Sequence, residues 1–523
     1  MTDDLLNIEI NGVALQARKG QMIIQAADAA GVTVPRFCYH DKLSVAANCR
    51  MCLVEVEKMP KPVPACATPL AEGMKVFTKS PKALQSQRAV MEFLLINHPL
   101  DCPICDQGGE CQLQDTALGF GKVESRYTEA KRVVDDKDVG PLIQTEMTRC
   151  IHCTRCVRFG EEIAGVKELG ATGRGEFMRI GTYIQRAVES ELSGNVVDLC
   201  PVGALTNKPY RFTARAWELE RRPGVSPHDC VGSNLEINVA NGVVKRVLPR
   251  ANEAVNEIWL SDRDRYSYLG LGSADRLRQP LLRKGDAWQE VSWQEALAAA
   301  AEGLQAVLKE YGPAHLGALL APTLTTEELY LAQKLMRALG SNNVDHRLRQ
   351  SDFSADAMLP RHPALPPIAS LEQVPAFLLV GSNLRKDQPL LNTRLRKAVV
   401  KRGAAGFAIN SYDYDFNYPL RGVAVCDPAA MVAELAGIAV ALLDGAGIPA
   451  SWSERLAGVV ATPWQRELAG TFKQQPGALV LLGDQALASP FYGALRALAA
   501  LIAELARGTL AETSPGGNGA GAW

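Results

Sequence analysis

HPLDCPICDQGGEC, residues 98–111, sets Cys102, Cys105 and Cys111 at a spacing suited to a metal site, one ligand short of four. The upstream stretch SPKALQSQRAVMEFLLINH, 80–98, predicts a helix with Ser80 at the N-cap and Pro81 at its first position. Leu84, Val90, Met91, Phe93, Leu94 and Leu95 would bury one broad face of it, and Pro99 ends it. Locally, His98 reads in two ways: a helix-end residue facing the last carbonyls, or the fourth ligand. Three cysteines lacking a fourth weigh toward the ligand.

Working outward, two further cysteine groups flank this one. Cys38, Cys49, Cys52 and Cys66 follow a C-x10-C-x2-C-x13-C pattern. NIEINGVALQ alternates around Asn11-Gly12 as a type I′ hairpin, QMIIQAADAAG reads as a short helix stopped by Gly31, and LVEVE reads as a strand. This arrangement resembles the β-grasp fold of plant-type ferredoxins, whose cysteines hold a [2Fe–2S] cluster. Structural zinc is the alternative, but its knuckles usually supply two C-x2-C pairs and only one is present here. Downstream, RCIHCTRCVRFGEE gives Cys150, Cys153 and Cys156 as C-x2-C-x2-C, with Cys200-Pro201 far behind. That is the bacterial ferredoxin pattern for one [4Fe–4S]; ELSGNVVDLC holds no second run that would make a two-cluster ferredoxin.

The order and spacing of these three groups, with QGGEC inside the middle one, resemble the large iron–sulfur subunit family of respiratory complex I. This is the 75-kDa type of NADH:quinone oxidoreductase subunit, and the match runs over roughly the first two hundred residues. The resemblance implies three centres: [2Fe–2S] on Cys38, Cys49, Cys52 and Cys66; [4Fe–4S] on His98, Cys102, Cys105 and Cys111; and [4Fe–4S] on Cys150, Cys153, Cys156 and Cys200. A neutral imidazole in place of a thiolate removes one negative charge, which should raise that cluster's potential as in Rieske centres.

The chain has 523 residues, 47% hydrophobic and 22% charged, which predicts several domains of an ordinary globular protein. Lys+Arg 56 against Asp+Glu 57 leaves a net charge of −1, so no global field points to nucleic acid or an anionic membrane. Apolar runs such as IAVALLDGAG are broken by Asp or Gly, and the acidic, amphipathic MTDDLLNIEI is neither a signal nor a basic transit peptide. Twelve of the 13 cysteines lie at or before Cys230, a clustering that reads as metal ligation rather than disulfides.

Beyond about residue 217 the pattern changes. RRPGVSPHDCVGSNLEINVANGVVKRVLPR predicts a hairpin at Asn241-Gly242. AFLLVGSN, GFAINSYD and ALVLLGDQ read as buried strands between helices, and Thr325 with Glu328 makes a capping box. This half resembles molybdopterin oxidoreductases without their catalytic parts. SPHDCVGSN keeps only Cys230, and RLRQSDFSADAMLPRHPAL has no cysteine where the metal ligand would be expected. His228 with Cys230 reads as structural. LPRANEAVNEIWLSDRDRYSY, with Trp259, Tyr266 and Tyr268, reads equally as a docking surface or a solvated loop. No Walker loop, H-E-x-x-H or dinucleotide fingerprint is present; GATGRGEF has the wrong glycine spacing. Family members generally continue beyond the Gly-rich ending GGNGAGAW, so the α/β domain is expected to be partial.

The expected fold is multidomain α+β and α/β. Its parts are a [2Fe–2S] ferredoxin-type domain over 1–79, a [4Fe–4S] domain with one histidine and three cysteine ligands over 80–120, and a ferredoxin-like [4Fe–4S] domain over 121–216. A cluster-free remnant of a molybdenum/tungsten-type [4Fe–4S] domain over 217–272 and a partial molybdopterin-oxidoreductase-like domain over 273–523 follow. The resemblance implies an electron-transfer subunit with no catalytic residue of its own and no molybdopterin. It implies a flavin/NADH-binding subunit, a two-[4Fe–4S] ferredoxin-like subunit and other peripheral-arm subunits as partners, with the membrane reached only through them. The implied place is the cytoplasmic face of the bacterial inner membrane. The alternatives are the diaphorase side of an NAD-linked hydrogenase or formate dehydrogenase, and a molybdopterin-dependent catalyst.

Overall fold

The computed structural model describes residues 5–122, 124–184, 186–347, 351–359, 362–443 and 447–523. The chain forms two compact units, one of 1–221 with 238–246 and one of 222–237 with 247–523.

In the first unit, Leu5–Ile10 and Val13–Arg18 pair antiparallel across Asn11-Gly12, both with positive φ as a type I′ turn requires. Helix Ile23–Ala29 then crosses over, so that Lys75–Phe77 returns parallel to the first strand. The five-stranded order is Val13–Arg18, Leu5–Ile10, Lys75–Phe77, Leu53–Val56, Val63–Pro64, the mixed sheet of a β-grasp domain. Ile8, Ile10, Ile23, Ile24, Val54 and Val76 form its core. The helix Pro81–Ile96 begins as the sequence predicts, with the Ser80 hydroxyl accepting from the Ala83 amide at 3.2 Å. Its buried face is narrower than expected: Ala83, Gln87 and Met91 are buried, while Phe93 is 73% exposed. Gln87 occupies the place of an apolar residue because its amide donates to the Leu53 carbonyl at 3.0 Å.

In the second unit, five parallel strands lie in the order Gly422–Val425, Ala405–Asn410, Ala376–Val380, Leu479–Leu482, Thr509–Glu512. Ala376, Leu378 and Val380 join a core with helices Ala430–Leu443, Pro463–Gln474 and Tyr492–Leu505. Phe377 and Leu379, on the opposite face, are equally buried, so the central strand is covered on both sides as parallel sheets require. The hairpin turn at Asn241-Gly242 and the Thr325–Glu328 capping box both form. In the stretch 248–268, Trp259 and Tyr266 are buried and Tyr268 is half-buried, so these aromatics are not offered to solvent. No described helix is long and apolar enough to cross a membrane.

Candidate functional site

All three predicted ligand sets lie in the first unit. His98 follows the helix Pro81–Ile96, and Cys111 is the N-cap of helix Gln112–Phe120, so the intervening loop folds on itself between two helix ends. His98, Cys102, Cys105 and Cys111 together line a small cavity of about 20 Å³, with Gly108, Arg149 and Gly203 completing its wall. His98 Nδ1 is buried there and has no hydrogen-bond partner among the described residues. Burial, and then the Arg149 and Lys131 charges, pull the imidazole down to about 4, so it is neutral at physiological pH with a lone pair available. A neutral imidazole with an unpartnered nitrogen, lining one cavity with three thiols, fits a histidine-ligated cluster.

The wall is fixed from outside. Arg149, almost fully buried, donates to Asp101 at 2.9 Å and to the Gly203 carbonyl at 3.4 Å. Arg246 grips both carboxylate oxygens of Glu110 at 2.6 and 2.8 Å, immediately before Cys111. Cys111 Sγ is 3.7 Å from the carbonyl of Pro201, the residue after Cys200, so this loop abuts the next ligand set.

In that set, His152 and Thr154 both adopt positive φ (54° and 61°), a conformation that L side chains resist. The strain turns backbone amides toward sulfur: the His152 amide donates to Cys150 Sγ at 3.4 Å. Burial pushes Cys150, Cys153 and Cys200 up to about 11, and Cys156 well up as well. Left alone these thiols keep their protons at neutral pH; a metal has to displace them.

The Cys38 set shows the same devices. Ala47 and Arg50 have positive φ, and the Cys38 amide donates to Cys49 Sγ at 3.4 Å. Cys38, Cys52 and Cys66 are at most 1% exposed. Hydrogen bonds from the Cys49 and Cys66 thiols hold Cys38 low, while Cys49 and Cys66 are pushed up by sharing that charge and by burial. Crowded sulfurs of this kind cannot all ionise without a cation among them. Among the described residues no three His, Cys, Asp or Glu side chains are arranged to hold a single metal ion. A cluster's ligands meet several irons and ring a larger volume, so the two observations are compatible.

Among the described residues the second unit holds no comparable assembly around Cys230. Its thiol is pushed up by burial and then by Asp229, and His228 Nε2 meets the Ser267 hydroxyl at 2.5 Å. Part of the stretch 347–365, at 348–350 and 360–361, lies outside the described residues. Burial, then repulsion from Asp264, pushes the Asp229 carboxyl from 3.8 up to about 6, although Arg263 bonds it at 2.8 Å. A raised folded value means a stabilising contribution complete below about pH 3.8 and lost as pH rises through about 6, on the order of 3 kcal/mol. The stability difference between wild type and Asp229→Asn should therefore fall by that amount from pH 4 to pH 7. A flat difference in hydrogen-exchange protection at the central strand Ala376–Val380 would contradict it.

Sequence reasoning missed Arg149, Gly203 and Arg246, which touch the ligand loops from distant positions. QGGEC did hint at Gly108, where a Cβ would meet the Cys102 carbonyl at 2.8 Å.

Family models match in the same order along the chain. They are a 2Fe-2S iron-sulfur cluster binding domain (3–81) and the NADH-ubiquinone oxidoreductase-G iron-sulfur binding region (87–126). An NADH-quinone oxidoreductase subunit 3 ferredoxin-like domain (140–206), an NDSU1/NuoG-like 4Fe-4S domain (220–269) and molybdopterin oxidoreductase (276–510) follow. Within 220–269 the only cysteine is Cys230. The NADH-ubiquinone oxidoreductase 75 kDa subunit of Reclinomonas americana is 44% identical over 77% of this chain and 60% of its own length. An iron-sulfur protein 1 of mitochondrial NADH dehydrogenase from Solanum tuberosum is 45% identical (82% and 57%), and the mitochondrial NADH-ubiquinone oxidoreductase 78 kDa subunit of Candida albicans is 45% identical (79% and 57%). The chain thus spans about three-fifths of the length of these relatives. A chain in the crystal structure of a NAD+-reducing [NiFe]-hydrogenase overlays 40% of this chain and 90% of its own, at 26% identity and a TM-score of 0.36, too slight a likeness to bear on either fold or function. With [2Fe–2S] and [4Fe–4S] binding domains in this order and relatives at this identity, the chain is similar along most of its length to the large iron–sulfur, or 75-kDa, subunits of NADH:quinone oxidoreductase.

Proposed function

We propose that this chain relays electrons, one at a time, through one [2Fe–2S] and two [4Fe–4S] centres on the twelve residues assigned above. The electrons come from NADH by way of a flavin-bearing subunit and go toward quinone by way of a two-[4Fe–4S] ferredoxin-like subunit. The observation that carries the reading is the His98 cavity: a neutral, partnerless imidazole nitrogen and three cysteines around one void. One-electron exchange is the chemistry that iron–sulfur clusters supply. The residues of the chain bury the sites, turn amides to sulfur at Cys38/Cys49 and His152/Cys150, and set the potentials by ligand type and nearby charge. No substrate bond is made or broken here. Coupling to proton movement belongs to the assembled complex, which this chain would join peripherally at the cytoplasmic face.

Anaerobic reconstitution with iron and sulfide counting and redox-titrated EPR tests the reading: one [2Fe–2S] and two [4Fe–4S] signals are expected. Bound molybdenum or tungsten in the purified protein would favour a molybdopterin catalyst instead. In His98→Cys the cluster should persist with a lower potential, because a thiolate adds negative charge. A tenfold drop in the reduced-to-oxidised ratio at fixed potential corresponds to about 59 mV. An unchanged potential at every centre would remove His98 from the ligand set.

A further inference from the structure

Among the cysteine loops sits a buried cation that, among the described residues, has no carboxylate as a hydrogen-bond or ion-pair partner. Arg155, between Cys153 and Cys156 on helix Arg155–Phe159, is 4% exposed. Its hydrogen-bond acceptors are all neutral: Gln112 Oε1 at 3.0 Å, the Leu199 carbonyl at 3.4 Å and the Tyr39 carbonyl at 2.8 Å. Each acceptor is next in sequence to a cysteine of a different ligand set, namely Cys111, Cys200 and Cys38. Its Nε is buried with no partner among the described residues. One turn along, Arg158 donates to the carbonyls of Cys38 at 2.5 Å and Cys153 at 3.1 Å, tying the same two loops together.

A buried charge is costly unless an opposite charge or strong hydrogen bonds compensate it. The strongest favourable charge interactions of Arg155 are with the sulfurs of Cys153, Cys200 and Cys38; Asp28, Asp41 and Asp115 line the same groove, and none of them is hydrogen-bonded to it. Arg149, by contrast, already has Asp101 at 2.9 Å, so the His98 site has its own balanced cation. We propose that Arg155 is the shared counter-charge of the Cys38/Cys49/Cys52/Cys66 and Cys150/Cys153/Cys156/Cys200 centres, raising both potentials together while its guanidinium fork positions their loops. Each electron added makes a centre more negative, and a fixed cation in a poorly screened interior favours that state. Linking the two potentials to one residue keeps their difference, and hence the direction of transfer between them, insensitive to that residue's surroundings. This role rests on the iron–sulfur reading above.

The test is EPR-monitored redox titration of the full reconstituted chain, with iron and acid-labile sulfide counted in each sample. In Arg155→Gln the reduced-to-oxidised ratio at fixed potential should fall about tenfold at both centres, equivalent to about 59 mV each, with the His98 centre moving far less. Arg155→Lys, which keeps the charge and loses the fork, should restore both potentials. A purely structural tie predicts the opposite, Lys as displaced as Gln, and that result overturns the proposal. So do unmoved potentials in cluster-replete Arg155→Gln. If that variant does not hold its clusters, Gln112→Glu decides: it leaves Arg155 in place and sets a carboxylate beside its Nη1, so both potentials must fall. A shift at neither centre, or at only one, refutes the shared role. Absence of the two signals in wild type would refute the iron–sulfur reading itself; wild-type signals with unmoved variants would refute only the role of Arg155.

Discussion

Gly203→Ala is expected to remove one cluster and leave two. A Cβ at this position would lie 2.1 Å from Cys105 Sγ and 3.3 Å from Gln107 Cβ, where carbon contacts need about 3.5–4.0 Å. A free thiol would rotate away at little cost. A sulfur bound to iron has no such freedom, because its position is fixed by the cluster and by the loop that Arg149 and Arg246 hold. The methyl group therefore competes directly with ligation at Cys105. Iron and sulfide counts should fall by about four each per chain, with loss of one [4Fe–4S] EPR signal and retention of the other two. Full iron content in Gly203→Ala would mean that Cys105 is free to move, and would remove it from the ligand set.

The largest stability effect is expected in the second unit, at Arg394→Met. Arg394 is 5% exposed and stands 2.5 Å from Glu372 and 3.8 Å from Glu257, and its Nη2 donates to the Glu253 and Val255 carbonyls at 2.8 and 2.9 Å. Glu257, itself buried with a φ of 52°, also contacts Lys397, which reaches Glu372 at 3.1 Å. Removing the guanidinium leaves two carboxylates to one cation and frees two carbonyls from their donor. Breaking a buried charge network in this way costs ~3–5 kcal/mol. Two units need not unfold together, so a single melting point is a poor measure. Hydrogen exchange at the central strand Ala376–Val380 reports this unit directly, and protection there should drop by that amount. A loss below ~1 kcal/mol would show that the network relaxes around the gap.

What the sequence revealed was written in short-range patterns. Asn11-Gly12, Asn241-Gly242, the Ser80 cap and the Thr325–Glu328 box act within four residues, and all four form. The candidate ligand sets stand out in the sequence for the same reason: spacing within a loop is local, and the Cys-Pro pair of the ferredoxin pattern marks the distant Cys200. Burial was less legible. Phe93 continues an apolar stripe yet faces out, while Trp259 and Tyr266 sit in a charged stretch yet face in, because the covering chain comes from elsewhere. The arginines were invisible in the sequence. Arg155 meets Tyr39 across 116 residues and Arg246 meets Glu110 across 136, and nothing around either marks it as interior.

The Arg246 clamp has a bearing on how the protein is made. The first compact unit pauses at Arg221 and is completed only by 238–246. During synthesis from the N-terminus, the loop bearing Cys102, Cys105 and Cys111 therefore emerges from the ribosome well before the arginine that braces Glu110. Until that arginine is made, Glu110 lacks its bidentate partner and the loop has one brace fewer. The brace on the Cys111 loop is thus encoded far downstream of the loop itself.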